Sequence, residues 1–308
     1  MHKTFARLGT VTVALTALAS CGAPQDGTAG ADRAQETPAG RLERLTDAQE
    51  GKLAWAEQVL IQRCMQRHGL QYSPGRAPGP DELKNTTLFV DDVRWARRYG
   101  YGGALDRRAE QERKKDPNSA YLKGLSEREL ARWDRALFGD EDSRVVNVRL
   151  PAGGRVGTRL DGCVANARDT LYGDLAQWFR ASKVAENLVP LYAEDLTQDR
   201  GFKDAVRKWS HCMRGKGHDY AAPEKIRDRL PELNERLAPD RAHAAEVRLA
   251  VAEALCARSS ELGRTARRLE QEYRDKVIGT RYRAEVDTYL RLQHRALTTA
   301  GAVTARRG

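Results

Sequence analysis

A nine-residue segment that occurs twice limits the folds open to this chain more than any other feature. It reads Cys-Met, three residues, Gly, two residues, Tyr, and it spans residues 64–72 and 212–220. Each copy follows a stretch whose apolar residues recur at helical spacing. Gly69 and Gly217 occupy the position at which helices commonly end in a left-handed residue. Both copies are therefore expected to close a helix, and the repetition predicts two related helical units.

The predicted fold is mainly α, a helical bundle built from units at about 45–198 and 199–298. Together they make a helical domain over 44–300, followed by a disordered tail over 301–308. The first unit also contains one strand pattern, over 144–160, in which apolar and polar residues alternate on both sides of a Pro-Ala-Gly-Gly turn. This pattern predicts a small β-hairpin.

The N-terminal residues 1–20 have the composition of a secretory signal peptide. Lys3 and Arg7 precede an apolar run that is too short to span a membrane. The run ends in Leu-Ala-Ser-Cys21, which resembles the lipobox of bacterial lipoproteins, where the cysteine is acylated with fatty acids such as palmitate. Residues 21–43 are rich in Gly, Ala, Pro and polar residues and predict a flexible tether. We therefore expect a secreted domain that the lipidated Cys21 holds at the outer face of the cell membrane.

The net charge of +10 bears on the partners of such a domain. In the cytoplasm a basic surface would suggest nucleic acid. Outside the cell the anions within reach are phospholipid headgroups and wall polymers. The expected partners are therefore the membrane, through the lipid anchor, and an anionic wall polymer or another envelope protein, but not nucleic acid.

Export also favours disulfides for the four remaining cysteines. Four cysteines allow three pairings, and the repetition favours the one that gives each unit its own bridge, Cys64 with Cys163 and Cys212 with Cys256. Histidines near Cys64 and Cys212 leave zinc as an alternative. The spacing matches no known zinc motif, and cysteines in an oxidising space usually pair. No metal and no cofactor are therefore expected.

The candidate ligand loop consists of Trp95, Tyr99 and Tyr101, the last two within a Tyr-Gly-Tyr-Gly-Gly segment. Aromatic side chains beside glycines could stack on a sugar or admit another ligand. Alternatively, the glycines end a helix while Trp95 and one tyrosine fill the core beside the first disulfide. The scarcity of aromatic residues, 6% of the chain, favours this second interpretation.

No sequence motif assigns a reaction to the chain. It has no Gly-x-Ser-x-Gly, no His-Glu-x-x-His and no phosphate-binding glycine loop. The expected function is therefore non-catalytic, a binding or interaction module of the cell envelope. The alternative is a cell-wall-active hydrolase with an unfamiliar site, which a deep cleft lined by two close carboxylates would favour.

Several of these motifs together resemble a group of secreted lipoproteins from actinobacteria of the Streptomyces type. The shared features are the lipobox, both Cys-Met steps, the Tyr-Gly-Tyr-Gly loop, Asp116-Pro117-Asn118, Gly162-Cys163 and Leu171-Tyr172-Gly173. The resemblance covers residues 45–298 and implies an extracytoplasmic location and a common architecture. The group has no established activity, so the resemblance implies no mechanism.

Overall fold

The structure is a computed structural model, and it describes residues 42–75, 79, 81–82, 88–235 and 237–305. The signal peptide, Cys21 and all but the end of the tether, which were predicted from the sequence, lie outside these residues. Within them, no helix is both long enough and apolar enough to cross a membrane.

Helices dominate the described part of the chain, with one two-stranded sheet among them. A 3₁₀ turn (Val189–Leu191) and a π-helical turn (Ile278–Tyr282) connect some of the helices. The elements are, in chain order, α1 (Asp47–Arg67), α2 (Val93–Tyr99), α3 (Gly103–Lys114), α4 (Pro117–Lys123), α5 (Glu127–Phe138), β1 (Val145–Arg149), β2 (Arg155–Arg159), α6 (Gly162–Tyr172), α7 (Leu175–Ala185), α8 (Ala193–Gln198), α9 (Arg200–Gly215), α10 (Glu224–Glu235), α11 (Pro239–Ser259), α12 (Leu262–Val277) and α13 (Arg283–Ala305).

The two copies of the repeated segment end α1 and α9 with the same local structure. Gly69 and Gly217 have φ angles of 69° and 81°, a region that glycine enters without steric cost. In each copy the residue after the glycine donates its N–H to the methionine carbonyl oxygen five positions earlier, at 3.0 Å and 2.9 Å. The carbonyl oxygen of each repeat tyrosine accepts a side-chain hydrogen bond from ten positions earlier, from Gln62 and Ser210. The repetition in sequence is thus a repetition in structure.

The disulfides have the predicted pairing. Cys64 at the end of α1 is joined to Cys163 at the start of α6, and Cys212 near the end of α9 is joined to Cys256 in α11. All four cysteines lie in or against the hydrophobic core. The prediction of a mainly α, disulfide-stapled helical bundle with one small hairpin is confirmed.

Packing crosses the predicted boundary between residues 198 and 199. Helix α2 lies before the boundary but packs on α11, and α13 lies after it but packs on α1 and α7. The described residues accordingly belong to one compact unit. The two units are therefore not separate domains, because each completes the core of the other.

The hairpin forms where it was predicted, and it covers one edge of the largest apolar cluster. Strands β1 and β2 are antiparallel, with Val148 opposite Val156. Val146 and Val148 point inward and are buried in the cluster that also contains Leu45 and Trp178. The opposite face of the hairpin is exposed to solvent.

The prediction of a disordered tail is wrong for residues 301–305, which continue α13. Val303 is 7% exposed and belongs to the largest apolar cluster, together with Ala300. Arg63 of α1 also donates to the carbonyl oxygen of Val303 at 3.0 Å. These contacts hold the last turn of α13 against α1.

Candidate functional site

A cleft of about 880 Å³ opens beside the Tyr-Gly-Tyr-Gly-Gly loop. Its described walls come from the segment before α2, from the loop between α2 and α3, from α3 and from the first turn of α4. The sequence predicts that the charged stretch forming α3 faces solvent, and none of the residues of α3 is buried. The outer side of the domain thus carries a helix that forms one wall of a cleft.

The predicted ligand loop divides between the core and this cleft. Trp95 and Tyr101 line the cleft, although Trp95 is only 5% exposed and belongs to an apolar cluster with α11. The indole N–H of Trp95 donates to the carbonyl oxygen of Asp81 at 3.1 Å. Tyr99 does not line the cleft; its hydroxyl donates to the Asp81 carboxylate at 2.8 Å. The glycines do end the helix, and the aromatic residues do fill the core, but the predicted place is wrong: Trp95 packs on α11, and Tyr101 lies in the cluster of the second disulfide, not the first. Two of the three residues also present an edge to the cleft.

The first glycine of the loop is required by close packing. Gly100 ends α2 with a φ angle of 62°, which side-chain-bearing residues rarely adopt. A Cβ atom at Gly100 would lie 3.2 Å from the backbone nitrogen of Val247 and 3.0 Å from Cβ of Glu246. The loop thus rests directly on the backbone of α11, and this contact fixes one wall of the cleft.

Negative charge dominates the walls of the cleft, although the chain as a whole is basic. The described lining includes five carboxylates, those of Asp81, Glu82, Asp106, Glu112 and Asp116, and one guanidinium, that of Arg113. Four of the carboxylates accept a hydrogen bond from the protein itself. Asp81 accepts from the Tyr99 hydroxyl and Glu112 from the Arg108 guanidinium. Glu82 and Asp116 accept from the backbone N–H groups of Gly79 and Asn118. Asp106 is exposed and has no hydrogen-bond or ion-pair partner among the described residues.

A buried ion pair lies behind the loop. Glu253 of α11 has no solvent exposure, and its carboxylate accepts from the Arg227 guanidinium at 2.6 Å and from the N–H of Val90 at 3.2 Å. Arg227 also lies over the ring of Tyr101, 4.9 Å from the ring centre. Burial raises the pKa of Glu253, and Arg227 partly offsets this rise. Burial likewise raises the pKa of the Tyr101 hydroxyl.

Sequence reasoning missed this ion pair, although one signal for it was present. Glu253 stands within Leu-Ala-Val-Ala-Glu-Ala-Leu-Cys, a stretch of α11 with no other charge. A carboxylate in such surroundings is rarely buried without a partner. Its partner could not be identified in the same way, because Arg227 is one of two arginines in α10 and one of many in the chain.

The four cysteines of the helical domain cannot bind zinc as thiolates, because they are joined in disulfides. Within the described residues one group of this kind, Cys64, His68 and Cys163, places three potential ligand atoms within 4.8 Å of one another. Both sulfur atoms of the group are joined in a disulfide, and metal ions bind thiolates. The group therefore serves as a covalent link between α1 and α6.

The chain was compared with protein-family models, with curated protein sequences and with solved structures. None of the three comparisons found a significant match.

Proposed function

We propose that this chain is an extracytoplasmic lipoprotein that binds a ligand in the cleft beside Trp95 and Tyr101. In this proposal the lipidated Cys21 anchors the domain to the outer face of the cell membrane. The acidic cleft is the observation that carries the binding function. The domain presents the cleft and does not alter the ligand chemically.

The two disulfides support the proposed location. Disulfides persist in oxidising compartments and are rare in the cytoplasm, where thiols are kept reduced. The two bridges join four of the five cysteines of the chain, and the fifth is Cys21. This is the cysteine that follows the lipobox-like Leu-Ala-Ser sequence, where an acyl chain would be attached.

Replacing Cys21 with Ser is expected to abolish incorporation of labelled palmitate and to release the protein from membranes. The reason is that acylation requires the thiol of this residue. Palmitate labelling and membrane fractionation after a high-salt wash measure the two effects. A Ser20→Ala variant keeps a small residue before the cysteine and should behave as the wild type. Equal labelling of the Cys21→Ser variant would show that the anchor is not at this residue.

The size and walls of the cleft support ligand binding. Its volume of about 880 Å³ lies within the range of small-molecule sites, which is roughly 300–1,000 Å³. Trp95 and Tyr101 offer aromatic edges, and the carboxylates around them offer acceptors and negative charge. Because the described residues of the walls carry five carboxylates against one guanidinium, the favoured ligand bears positive charge, as an amine does.

Replacing Asp106 with Asn is expected to weaken binding of such a ligand by up to about fivefold, the range of an exposed ion pair. The probe is a set of soluble cell-wall fragments with free amino groups, titrated by calorimetry. The same fragments after N-acetylation should bind less tightly to the wild type. Asp134→Asn, an exposed change on α5 outside the cleft, serves as the matched control. If acetylated and free fragments bind equally, the cleft does not select for positive charge.

The cleft carboxylates also favour a second candidate, a cell-wall-active hydrolase. Glycosidases use two carboxylates, one as acid and one as base or nucleophile. Against this function, four of the five carboxylates cap a turn or helix or pair with a neighbouring side chain. Incubation with purified peptidoglycan distinguishes the two functions: we expect no soluble fragments, and fragment release that Asp106→Asn abolishes would favour the hydrolase.

A further inference from the structure

The solvent-facing side of the hairpin carries an arrangement of charge that local stability does not explain. Arg149 of β1 and Arg155 of β2 are directly opposite each other at the end of the sheet, and both are exposed. Directly opposed side chains of an antiparallel pair have Cβ atoms only about 5 Å apart, and like charges at such positions destabilise the pair. An external anion between the two guanidinium groups would remove this repulsion.

No carboxylate of the described residues neutralises these two arginines. Within the part of the chain that the structure describes, neither Arg149 nor Arg155 forms an ion pair, and the same is true there of Arg144 and Arg159 at the other end of the hairpin. The nearest acidic residues in the chain, 140–142 and Asp161, lie at that other end. Asp161 accepts hydrogen bonds from Ser143 and from the backbone N–H of residue 140, so it is directed toward the preceding loop.

The turn leaves space between the two arginines. The N–H of Leu150 donates to the carbonyl oxygen of Gly154 at 3.1 Å, and the N–H of Gly153 donates to the carbonyl oxygen of Leu150 at 3.0 Å. The two glycines have no side chains, and a Cβ atom on either would meet nothing within 4 Å. A groove of about 370 Å³ remains between Arg149, the glycines and Arg155. A phosphate group fits this space and can accept from both guanidinium groups.

Exposed apolar side chains accompany the arginines. Phe138 is 47% exposed and Val145 is 44% exposed, and both line a shallow cleft together with Arg159. Apolar and basic side chains on one surface are typical of proteins that lie on membranes, where the arginines meet lipid phosphates and the apolar groups enter the interface.

We propose that this surface, consisting of Phe138, Val145, Arg149, Arg155 and Arg159 and called here the arginine face, docks on anionic phospholipid. The inference rests on the proposed anchor, which brings the domain to a membrane. If residues 21–43 form the flexible tether that their composition predicts, they would hold the domain within about 25–30 Å of the lipid attachment. The hairpin packs in the same cluster as Leu45, which follows the tether closely in the chain. Docking would fix the orientation of a domain that the tether alone leaves free to rotate.

The test uses the mature chain, residues 21–308 with Cys21→Ser, which contains the whole compact unit but carries no acyl chain. Sedimentation with vesicles of phosphatidylcholine containing phosphatidylglycerol measures binding, and pure phosphatidylcholine vesicles should bind much less. An arginine at an anionic surface contributes roughly fivefold to binding. Adding Arg149→Gln and Arg155→Gln is therefore expected to lower the partition coefficient by about tenfold or more. Lysine at both positions should retain most of the binding.

The matched control removes the same charge elsewhere, with Arg229→Gln on α10 and Arg248→Gln on α11, two exposed arginines. An equal loss in this control would overturn the proposal, because binding would then follow net charge alone. The proposal also fails if the hairpin variant loses binding to soluble poly(glycerol phosphate) while its vesicle binding is unchanged, which would assign the face to a wall polymer. Since the vesicle experiment uses unacylated protein, its result is independent of palmitate labelling at Cys21, which tests the anchor.

Discussion

Replacing Cys64 and Cys163 together with alanine is expected to lower the free energy of unfolding by about 4–5 kcal/mol. The bridge joins residues 99 positions apart. Without it the unfolded chain gains the conformational freedom that closure of this long loop removes. Urea denaturation of the variant and the wild type under non-reducing conditions measures the difference.

The second bridge provides the comparison. It spans 44 positions, so the Cys212→Ala, Cys256→Ala variant should lose slightly less, about 4 kcal/mol. Loss of both bridges would then approach the whole stability of a typical protein, about 5–15 kcal/mol. We therefore expect the chain without disulfides to be largely unfolded at 37 °C. A variant without the first bridge that unfolds at the wild-type urea concentration would show that packing alone holds α1 against α6.

Replacing Arg227 with Met is expected to destabilise the fold by about 3–5 kcal/mol at pH 7, the usual consequence of leaving a buried charge without its partner. Glu253 has no solvent exposure and would retain only the N–H of Val90 as a hydrogen-bond donor among the contacts described above. Thermal and urea denaturation measure the loss. Arg229→Met, an exposed change on the same helix, should alter the stability by less than about 0.5 kcal/mol.

The effect of Arg227→Met should depend on pH in a definite direction. Burial already raises the pKa of Glu253 above its ordinary value of 4.5, and loss of the guanidinium raises it further. A carboxyl whose pKa is higher in the folded state costs stability as pH rises above its unfolded pKa. The variant should therefore lose much less stability at pH 4.5 than at pH 7, and adding Glu253→Gln should restore part of the loss at pH 7. A loss that is the same at both pH values would contradict this account.

The features that the sequence predicts correctly depend on residues close together in the chain. Thr46 and Ser126, which precede α1 and α5, each stand three residues before a Gln or Glu, the spacing of a capping box. The side chains of Gln49 and Glu129 complete both boxes in the structure. The glycine at the end of each repeat and the alternation in the hairpin are likewise local signals. The disulfide pairing was predictable because the repetition reduced three choices to one.

The features that the sequence does not predict depend on contacts between distant segments. Helix α2 is short and amphipathic, and nothing in its pattern indicates that it packs on α11. The ion pair of Arg227 and Glu253 also joins two different helices. The sequence does not identify Arg227 as the partner of Glu253, because the chain contains many arginines. The cleft was predicted only in part: the aromatic loop was identified, but its acidic wall arises because α3 and the start of α4 fold back beside that loop.

The packing of α13 has a consequence for the order in which the protein acquires its structure. Synthesis proceeds from the N-terminus, and the cluster formed by α1, α6 and α7 is completed by α13. This largest core therefore cannot close until α13 has left the ribosome or, for an exported chain, the translocation channel. Cys64 and Cys163 lie in a different cluster, whose members all precede α7 in the chain. The first bridge and the cluster around it can therefore form before α13 completes the largest core, which makes the docking of α13 a late step of assembly.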